Sequence, residues 1–391
     1  MNPLKHPVRW LLLLLISPVL HAEPAKTSPG IKKIEDRTVY HGETFYSSFP
    51  SIVRRPDGEL LVAFRRAPDR RMLGGGKYSH SDPNSYLMLV RSKDSGKSWT
   101  KEPELIYAHP FGGSQDPCMV QLKDGSILCT SYGWALMEPQ QIANLKEPVF
   151  ISGKNFVFMG GYILRSENGG KTWNRLLPSP TKTDPTLGIH GERVPAFNRG
   201  AMCEGASGRL YWVAQVFQDP KTRRTENHLM ISDDKGLTWT YSAPVAVDPK
   251  VQFNETSIYE TPKGDLVAFM RTAEYNDHLA IARSSDGGKS FTWGDGGFQG
   301  HPFNAVRLPD KRVLLVYGYR HPPYGIRARV LNAECTDAAT APEVVLRDDG
   351  GVSDLGYPWA TVLSKNRALV VYYFNKADGP RTIESTLVEI E

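Results

Sequence analysis

Four short polar turns recur along the chain, and each of them ends in an aromatic residue. They read SKDSGKSW from Ser92, SENGGKTW from Ser166, SDDKGLTW from Ser232 and SSDGGKSF from Ser284. The third position is always Asp or Asn, whose side chain accepts hydrogen bonds from turn amides, and the fifth is always Gly, which tolerates positive φ. The closing aromatic ring is expected to pack beneath the turn. These turns are expected to stabilise the structure and not to take part in chemistry. Their repetition predicts a fold built from similar units.

A second repeat consists of six β-hairpins, each with a short strand, a turn and a strongly apolar strand. The segments are SFPSIVRRPDGELLVAFRR, SQDPCMVQLKDGSILCTSY, NRGAMCEGASGRLYWVAQV, FNETSIYETPKGDLVAFMR, GHPFNAVRLPDKRVLLVYG and LGYPWATVLSKNRALVVYY. Six units of about 60 residues each have room for four strands and their loops, as in a propeller blade. A β-sandwich does not explain six copies of one hairpin, and solenoid repeats are usually shorter. Residues 23–391 are therefore predicted to form one all-β domain, a six-bladed β-propeller.

The first 22 residues have the pattern of a secretory signal peptide. Lys5 and Arg9 precede an apolar run, and the small residue Ala22 marks the expected cleavage site. The run is shorter than the roughly 20 residues that span a bilayer, so we expect no membrane span in the mature chain. Cleavage would lower the formal net charge from +5 to +3, which is too weak to indicate a nucleic acid as partner. The predicted location is secreted or periplasmic.

Four cysteines in 391 residues do not make a disulfide framework, although an exported chain permits disulfides. The sequence contains neither a CxxC pair nor an HExxH motif. We therefore expect neither a metal nor another cofactor.

Polar side chains stand just before the apolar part of each hairpin. The innermost strand of every blade lines the central channel, so these positions are expected to face each other across the axis. In chain order they are Ser47, Ser48, Gln115, Asp116, Asn198, Arg199, Asn254, Glu255, His301 and Tyr357. Such residues contribute little to a core, and their convergence predicts a binding site.

The turns resemble the Asp box of the sialidase (neuraminidase) superfamily, and the hairpins run in register with its catalytic pattern over nearly all of the mature chain. The resemblance implies an exo-acting glycoside hydrolase that removes a terminal sialic acid or a related acidic sugar from a glycan. It implies that Asp82, in SDPNSYLMLVRS, is the general acid, that Tyr357 is the nucleophile and that Glu255 is its partner. It also implies that Arg271 and Arg327 bind the substrate carboxylate.

The chemistry of that set is reasonable without the family name. A sialoside bears a carboxylate on its anomeric carbon, which repels an anionic nucleophile but not a neutral phenol. The phenol must lose its proton as it attacks, and a carboxylate within hydrogen-bond reach accepts it. Sialidases with a tyrosine nucleophile are a recognised exception among glycosidases. A guanidinium donates two parallel bonds to a carboxylate.

One position departs from the family pattern. Sialidases usually carry an arginine in a Phe-Arg-Ile-Pro segment of the first blade, and here the matching residue is Ser48 in SSFP. Arg65, Arg66 and Arg199 are the candidates to replace that arginine, and another acidic sugar is the other explanation. His301 and Asp116 are further candidates for substrate contact.

Structural explanations remain open for each of these residues, such as a core role for Tyr357 or rim ion pairs for the arginines. The alternative function is a non-catalytic propeller that binds an acidic glycan or a protein.

Overall fold

The computed structural model describes residues 30–73, 82–153, 155–377 and 379–391. It is all-β, with 53% strand and 2% helix, and its six sheets form a six-bladed β-propeller. This confirms the predicted fold class. The predicted signal peptide, residues 1–22, lies outside the described residues, so export stays a prediction. Within the described ranges, no helix has the length and apolar character needed to cross a membrane.

Each blade is a sheet of antiparallel strands, and in five of the six the strands follow one another along the chain. The strands are β1 (Ile31–Tyr40), β2 (Phe45–Arg54), β3 (Leu60–Pro68), β4 (Tyr86–Ser92), β5 (Glu104–Tyr107), β6 (Gly112–Ser114), β7 (Cys118–Gln121), β8 (Ile127–Leu136), β9 (Ile151–Ser152), β10 (Phe156–Ser166), β11 (Asn174–Leu176), β12 (Cys203–Glu204), β13 (Leu210–Asp219), β14 (Arg224–Ser232), β15 (Thr240–Ala246), β16 (Gln252–Glu260), β17 (Leu266–Ala273), β18 (His278–Ser284), β19 (Thr292–Gln299), β20 (Phe303–Arg307), β21 (Val313–Tyr319), β22 (Gly325–Leu331), β23 (Val344–Arg347), β24 (Gly356–Ser364), β25 (Arg367–Phe374) and β26 (Thr382–Ile390). A 3₁₀ turn, Arg70–Leu73, and a short helix, α1 (Pro139–Ile142), lie in the loops.

The first five blades are β2–β5, β6–β11, β12–β15, β16–β19 and β20–β23. The sixth blade combines both ends of the chain, because β1 completes the sheet of β24, β25 and β26. Strands β1 and β26 are antiparallel, with Ile31 opposite Ile390. This pairing closes the ring and brings β24 beside β2.

The apolar strands of the hairpins are buried on both faces because neighbouring blades cover them. Val62 and Phe64 of β3, for example, belong to one buried cluster with Leu369 and Val371 of β25. The apolar core therefore lies between the blades. The polar residues at the start of each innermost strand lie towards the central axis.

The four repeated turns have one geometry. In the first, Asp94 Oδ1 accepts hydrogen bonds from the amides of Lys97 (3.1 Å) and Ser98 (2.9 Å) and from Ser92 Oγ (2.8 Å). The Gly96 amide donates to Ser92 Oγ at 2.9 Å. The same pattern recurs around Asn168, Asp234 and Asp286. These residues are turn staples, as predicted.

The fifth blade carries a related turn that the sequence motif does not reveal. Asn332 Nδ2 donates to Thr336 Oγ1 at 2.8 Å, and the Thr336 amide donates to Asn332 Oδ1 at 3.1 Å. Asn168 and Thr172 make the same pair of contacts in the second blade. The spacing of four residues is kept, while the glycine and the aromatic residue of the motif are absent.

Candidate active site

Three side chains from the fourth and sixth blades meet at the channel. Tyr357 Oη donates a 2.6 Å hydrogen bond to Glu255 Oε1. Arg271 Nη1 donates to Glu255 Oε1 at 2.8 Å, to Glu255 Oε2 at 3.0 Å and to Tyr357 Oη at 3.0 Å. The phenol oxygen therefore has a carboxylate that accepts its proton and a guanidinium that donates to the same oxygen.

Irregular backbone directs these side chains. The pairing of β16 with β17 is interrupted between Phe253 and Thr256, which leaves Glu255 outside the regular ladder. Tyr357 adopts a φ of 52° after Gly356, whose φ is 106°. A non-glycine residue with positive φ is costly and concentrates at functional sites, where the surrounding structure holds it in place.

The charges of this group are set by its surroundings. Burial raises the pKa of the Glu255 carboxyl, but the charge of Arg271 and the hydrogen bond from Tyr357 outweigh it, so the net pKa lies below the usual value. Burial and the negative charge of Glu255 raise the pKa of Tyr357 above its usual value. The protein therefore holds a carboxylate beside a neutral phenol, with the proton on the phenol.

A second arginine and a histidine lie beside the phenol. The Arg320 guanidinium lies 5.0 Å from the centre of the Tyr357 ring, and its Nη2 donates to Tyr373 Oη at 2.7 Å. Burial, followed by the charges of Arg271 and Arg320, holds the pKa of His301 well below its usual value, so this imidazole is neutral. Among the described residues, neither Arg271 Nε nor His301 Nδ1 has a hydrogen-bond partner, although both are buried. His301 Nδ1 lies 3.9 Å from Asp277 Oδ1, beyond hydrogen-bond distance. Buried polar atoms without a partner need an explanation.

Arg199 packs against the ring of Tyr357 and bonds its backbone. Its guanidinium lies 4.4 Å from the centre of the Tyr357 ring, and Nη2 donates to the Tyr357 carbonyl at 3.1 Å. The residue is only 1% exposed. The structure thus places Arg199 under the phenol, where it positions the ring rather than facing the channel.

Asp116 lies on the second blade at the other side of the site. Tyr132 Oη donates to Asp116 Oδ2 at 3.2 Å, and both groups are close enough to the centre to act electrostatically with Tyr357. The inner-strand head residue Asp116 is therefore part of the cluster, as its position in the hairpin predicted.

Asp82 is buried and held by an ion pair. Arg70 Nη2 donates to Asp82 Oδ1 at 2.9 Å, and Arg70 Nε bonds the other carboxylate oxygen. The Asn84 amide also donates to Oδ1, at 2.8 Å. Burial lowers the pKa of the Arg65 guanidinium, and the charges of Asp116 and Asp82 oppose this effect, so one buried arginine lies near both acids.

The sequence matches the model of one known protein family. Residues 147–367 match the model of the BNR repeat-like domain, more than half of the sequence. The chain belongs to this family. In sequence, no curated protein matches the chain.

Solved structures extend the assignment of the BNR repeat-like fold. A crystal structure of a protein of unknown function from Dyadobacter fermentans is 60% identical, with a TM-score of 0.91 over 93% of this chain and 100% of that one. The Hadza microbial sialidase Hz136 is similar at 16% identity, with a TM-score of 0.64 over 90% of this chain and 68% of that one. The NanB sialidase of Streptococcus pneumoniae, as its K499G mutant, is 14% identical, with a TM-score of 0.59 over 93% and 71%. At such identities the sialidases show a shared fold.

Not every predicted residue of this BNR repeat-like chain reaches the cluster. Arg327 is buried inside the fifth blade, where Nη2 donates to the Pro323 carbonyl at 3.2 Å and Nη1 bonds the Arg347 carbonyl. Its guanidinium lies 4.8 Å from the centre of the Tyr319 ring. Arg320, seven residues earlier, is the arginine of this blade that faces Tyr357.

Arg65 and Arg66 of the first blade contact residues other than Tyr357, with Arg65 Nε donating to the Ser114 carbonyl at 3.3 Å. Ser48 is buried opposite Arg65 in the β2–β3 pairing, and Arg65 is itself 0% exposed. Arg66 lies over the ring of Phe45, 4.3 Å from its centre. The ring of Phe49 instead packs 4.7 Å from that of Tyr357.

Sequence reasoning missed Arg320, Tyr132 and Arg70. Arg320 had a usable signal, because it follows an apolar strand and precedes the next loop much as Arg271 ends its own strand. Tyr132 and Arg70 had none, since their roles depend on partners in other strands or turns.

Proposed function

We propose that this protein is an exo-acting glycoside hydrolase of the sialidase type that removes a terminal acidic sugar from a glycan. The observation that carries the proposal is the contact of Tyr357 Oη with Glu255 Oε1 at 2.6 Å, with Arg271 bonded to both. A binding protein needs cations for an acidic sugar, but it has no need of a phenol hydrogen-bonded to a carboxylate.

In the first step, Tyr357 Oη attacks the anomeric carbon and forms a C–O bond. The phenol proton passes to Glu255, and the bond between the anomeric carbon and the leaving oxygen breaks. Arg271 donates to the phenol oxygen and stabilises the charge that develops there during the transfer. Water then attacks the same carbon and gives one proton to Asp82, which donated its own to the leaving oxygen. The bond to Tyr357 breaks, and the proton held by Glu255 returns to the phenol oxygen.

The leaving oxygen requires a proton, and Asp82 is the proposed donor. Its carboxyl now bonds Arg70 through both oxygens. Asp82 must therefore release Arg70, take up a proton from solvent and direct it to the glycosidic oxygen when the substrate binds. Arg70 is about one-third exposed, so its side chain has room to move.

We assign recognition of the sugar carboxylate to Arg271 and Arg320, with the latter in the place expected for Arg327. The buried Nε of Arg271 and Nδ1 of His301 lack partners in the described residues and are available to the ligand. Neutral His301 and the carboxyl of Asp116 suit hydroxyl or amide groups elsewhere on the sugar.

One observation favours the second candidate, a propeller that binds an acidic glycan or a protein without cleaving it. Ser48 replaces the first-blade arginine, and its Oγ has no hydrogen-bond partner among the described residues. Without that arginine the protein binds the sugar carboxylate less strongly. This agrees with a propeller that binds the glycan and does not cleave it.

Turnover of aryl glycosides of acidic sugars, with sialic acid among them, tests the proposal. The parent should release the aryl alcohol from at least one of them, while Tyr357→Phe and Glu255→Gln should not. Saturable binding without release by the parent would instead support the second candidate.

A further inference from the structure

A cavity lined by six aromatic rings lies next to the proposed active site. Its volume is about 210 Å³. The rings belong to Tyr132, Trp134, Phe150, Phe158, Phe197 and Phe217. The catalytic steps proposed above use none of them directly.

The rings form one continuous apolar wall. The ring centres of Phe150 and Phe217 lie 4.4 Å apart, and those of Phe158 and Phe197 lie 4.5 Å apart. These are distances at which tilted and edge-to-face aromatic pairs attract. A dry cavity of about 150 Å³ binds benzene in another protein, so the space here admits one aromatic ring with a substituent.

The cavity shares its lining with residues that contact or adjoin the reaction centre. Tyr132, one of its walls, bonds Asp116 at 3.2 Å. Asn254, which also lines the cavity, is the residue before Glu255 in β16. A group in the cavity is therefore adjacent to a sugar held at Tyr357.

Three of the polar residues at the edge of the cavity bond one another or the backbone, and the fourth, Arg223, has its guanidinium 5.4 Å from the centre of the Phe150 ring. Gln215 Nε2 donates to Asn254 Oδ1 at 3.1 Å, and Thr225 Oγ1 donates to the Phe253 carbonyl at 2.9 Å and lies 3.1 Å from the same Asn254 oxygen. Few polar atoms remain for the hydroxyls of a second sugar ring. The lining instead favours a flat apolar group.

We propose that this pocket binds an aryl group carried by the substrate beside its acidic sugar. The proposal deepens the proposed function and rests on it for the identity of the sugar. It predicts specificity for glycans or conjugates with an aromatic substituent, a selection that the arginines cannot make.

Ligand-observed NMR titration tests the pocket with two probes, benzyl alcohol and methyl β-glucopyranoside. Benzyl alcohol should bind the parent saturably and the glucoside should not. Phe150→Ala removes a half-buried wall of the pocket and should weaken benzyl alcohol about fivefold or more. Phe150→Leu keeps an apolar side chain without the ring and should weaken it less, which preserves the test if the alanine variant does not fold.

The matched control is Phe291→Ala, which removes another half-buried phenylalanine outside the pocket and should leave benzyl alcohol binding unchanged. A sialic acid analogue with a double bond at the anomeric carbon should bind together with benzyl alcohol and not displace it. Equal affinity in the parent and both Phe150 variants, tighter binding of the glucoside, or competition with the analogue would each overturn the pocket assignment. If the analogue fails to bind and none of the aryl glycosides of acidic sugars is hydrolysed, while benzyl alcohol binds as expected, the proposed function fails and the pocket assignment stands.

Discussion

Arg199 lies directly under Tyr357, with its guanidinium carbon 4.4 Å from the ring centre and its Nη2 bonded to the Tyr357 carbonyl. The contact connects the third blade to the sixth and fixes both the ring and the strained backbone that carries it. The phenol thus depends on a residue that lies beneath the channel surface.

Arg199→Lys should lower kcat about tenfold or more while KM changes little, because a misplaced reactive group impairs the chemical step more than substrate binding. Lysine keeps the charge but loses the planar stack and the geometry of the carbonyl bond. Steady-state kinetics on protein of verified fold measure the effect. A raised KM with unchanged kcat would show that Arg199 binds substrate directly.

Tyr357→Phe should reduce hydrolysis by at least about a thousandfold and leave binding of a carboxylate sugar analogue largely intact, since only the attacking oxygen is lost. Tyr372→Phe is the matched control. It removes a buried tyrosine hydroxyl from the same blade, where that hydroxyl contacts Thr386 at 2.7 Å. Normal turnover by the Tyr357 variant would refute the nucleophile assignment.

Arg320→Ala should weaken a carboxylate sugar analogue by about 10- to 100-fold, the range for losing a charge-assisted hydrogen bond. Arg327→Ala should affect stability and leave the affinity of the folded protein nearly unchanged, since Arg327 bonds carbonyls inside its blade. Calorimetric titration of both variants separates the two arginines. The opposite ranking would return the role to Arg327.

Asp234→Ala should lower the free energy of unfolding by about 0.5–2 kcal/mol through lost turn hydrogen bonds, with kcat unchanged. Asp233, its neighbour, pairs with Arg209 at the surface, so Asp233→Ala is a control of the same type and should have little effect. Denaturant unfolding and turnover assays compare the two. An Asp234 variant of normal stability without activity would show that the repeated turn takes part in the chemistry.

Lowering the pH should destabilise the protein through His301. Its pKa is depressed in the folded state, so the unfolded chain binds a proton first, and stability is lost as pH falls below about 6.5 towards the folded pKa. One such group changes the free energy of unfolding by at most about 1.4 kcal/mol per pH unit. His301→Gln should flatten the dependence of Tm on pH in that window, and an unchanged slope would contradict the neutral, buried imidazole.

The fold was predictable because its signals are local. The turn around Asp94 uses residues within four positions of one another, and the hairpin alternation needs no distant partner. The pairing of Tyr357 with Glu255 was predicted from the family resemblance, which assigned both residues to the innermost strands of their blades.

Other contacts depend on the direction in which side chains point once the chain has folded. Arg320 and Arg327 are seven residues apart in one blade, and only the folded strand decides which of them points to the axis. Arg199 was predicted at the head of an inner strand, whereas its contact with a residue 158 positions away depends on tertiary structure that the sequence does not show. The pairing of Arg70 with Asp82 likewise follows from a 3₁₀ turn that has no sequence signature.

The closure of the ring by β1 and β26 joins the two ends of the chain in the blade that carries Tyr357. Thr386 Oγ1 bonds Asp36 Oδ1 at 2.7 Å across 350 residues of chain, a contact of very high sequence separation. Such contacts carry a large loop-closure entropy and tend to form late. Tyr357 belongs to the sheet that the pairing of β1 with β26 completes, whereas Glu255 and Arg271 belong to a blade made of consecutive strands. During refolding, the fourth blade has all of its own strands before β1 pairs with β26. Formation of the contact between Tyr357 and Glu255 is therefore expected to report the moment at which the two ends of the polypeptide pair.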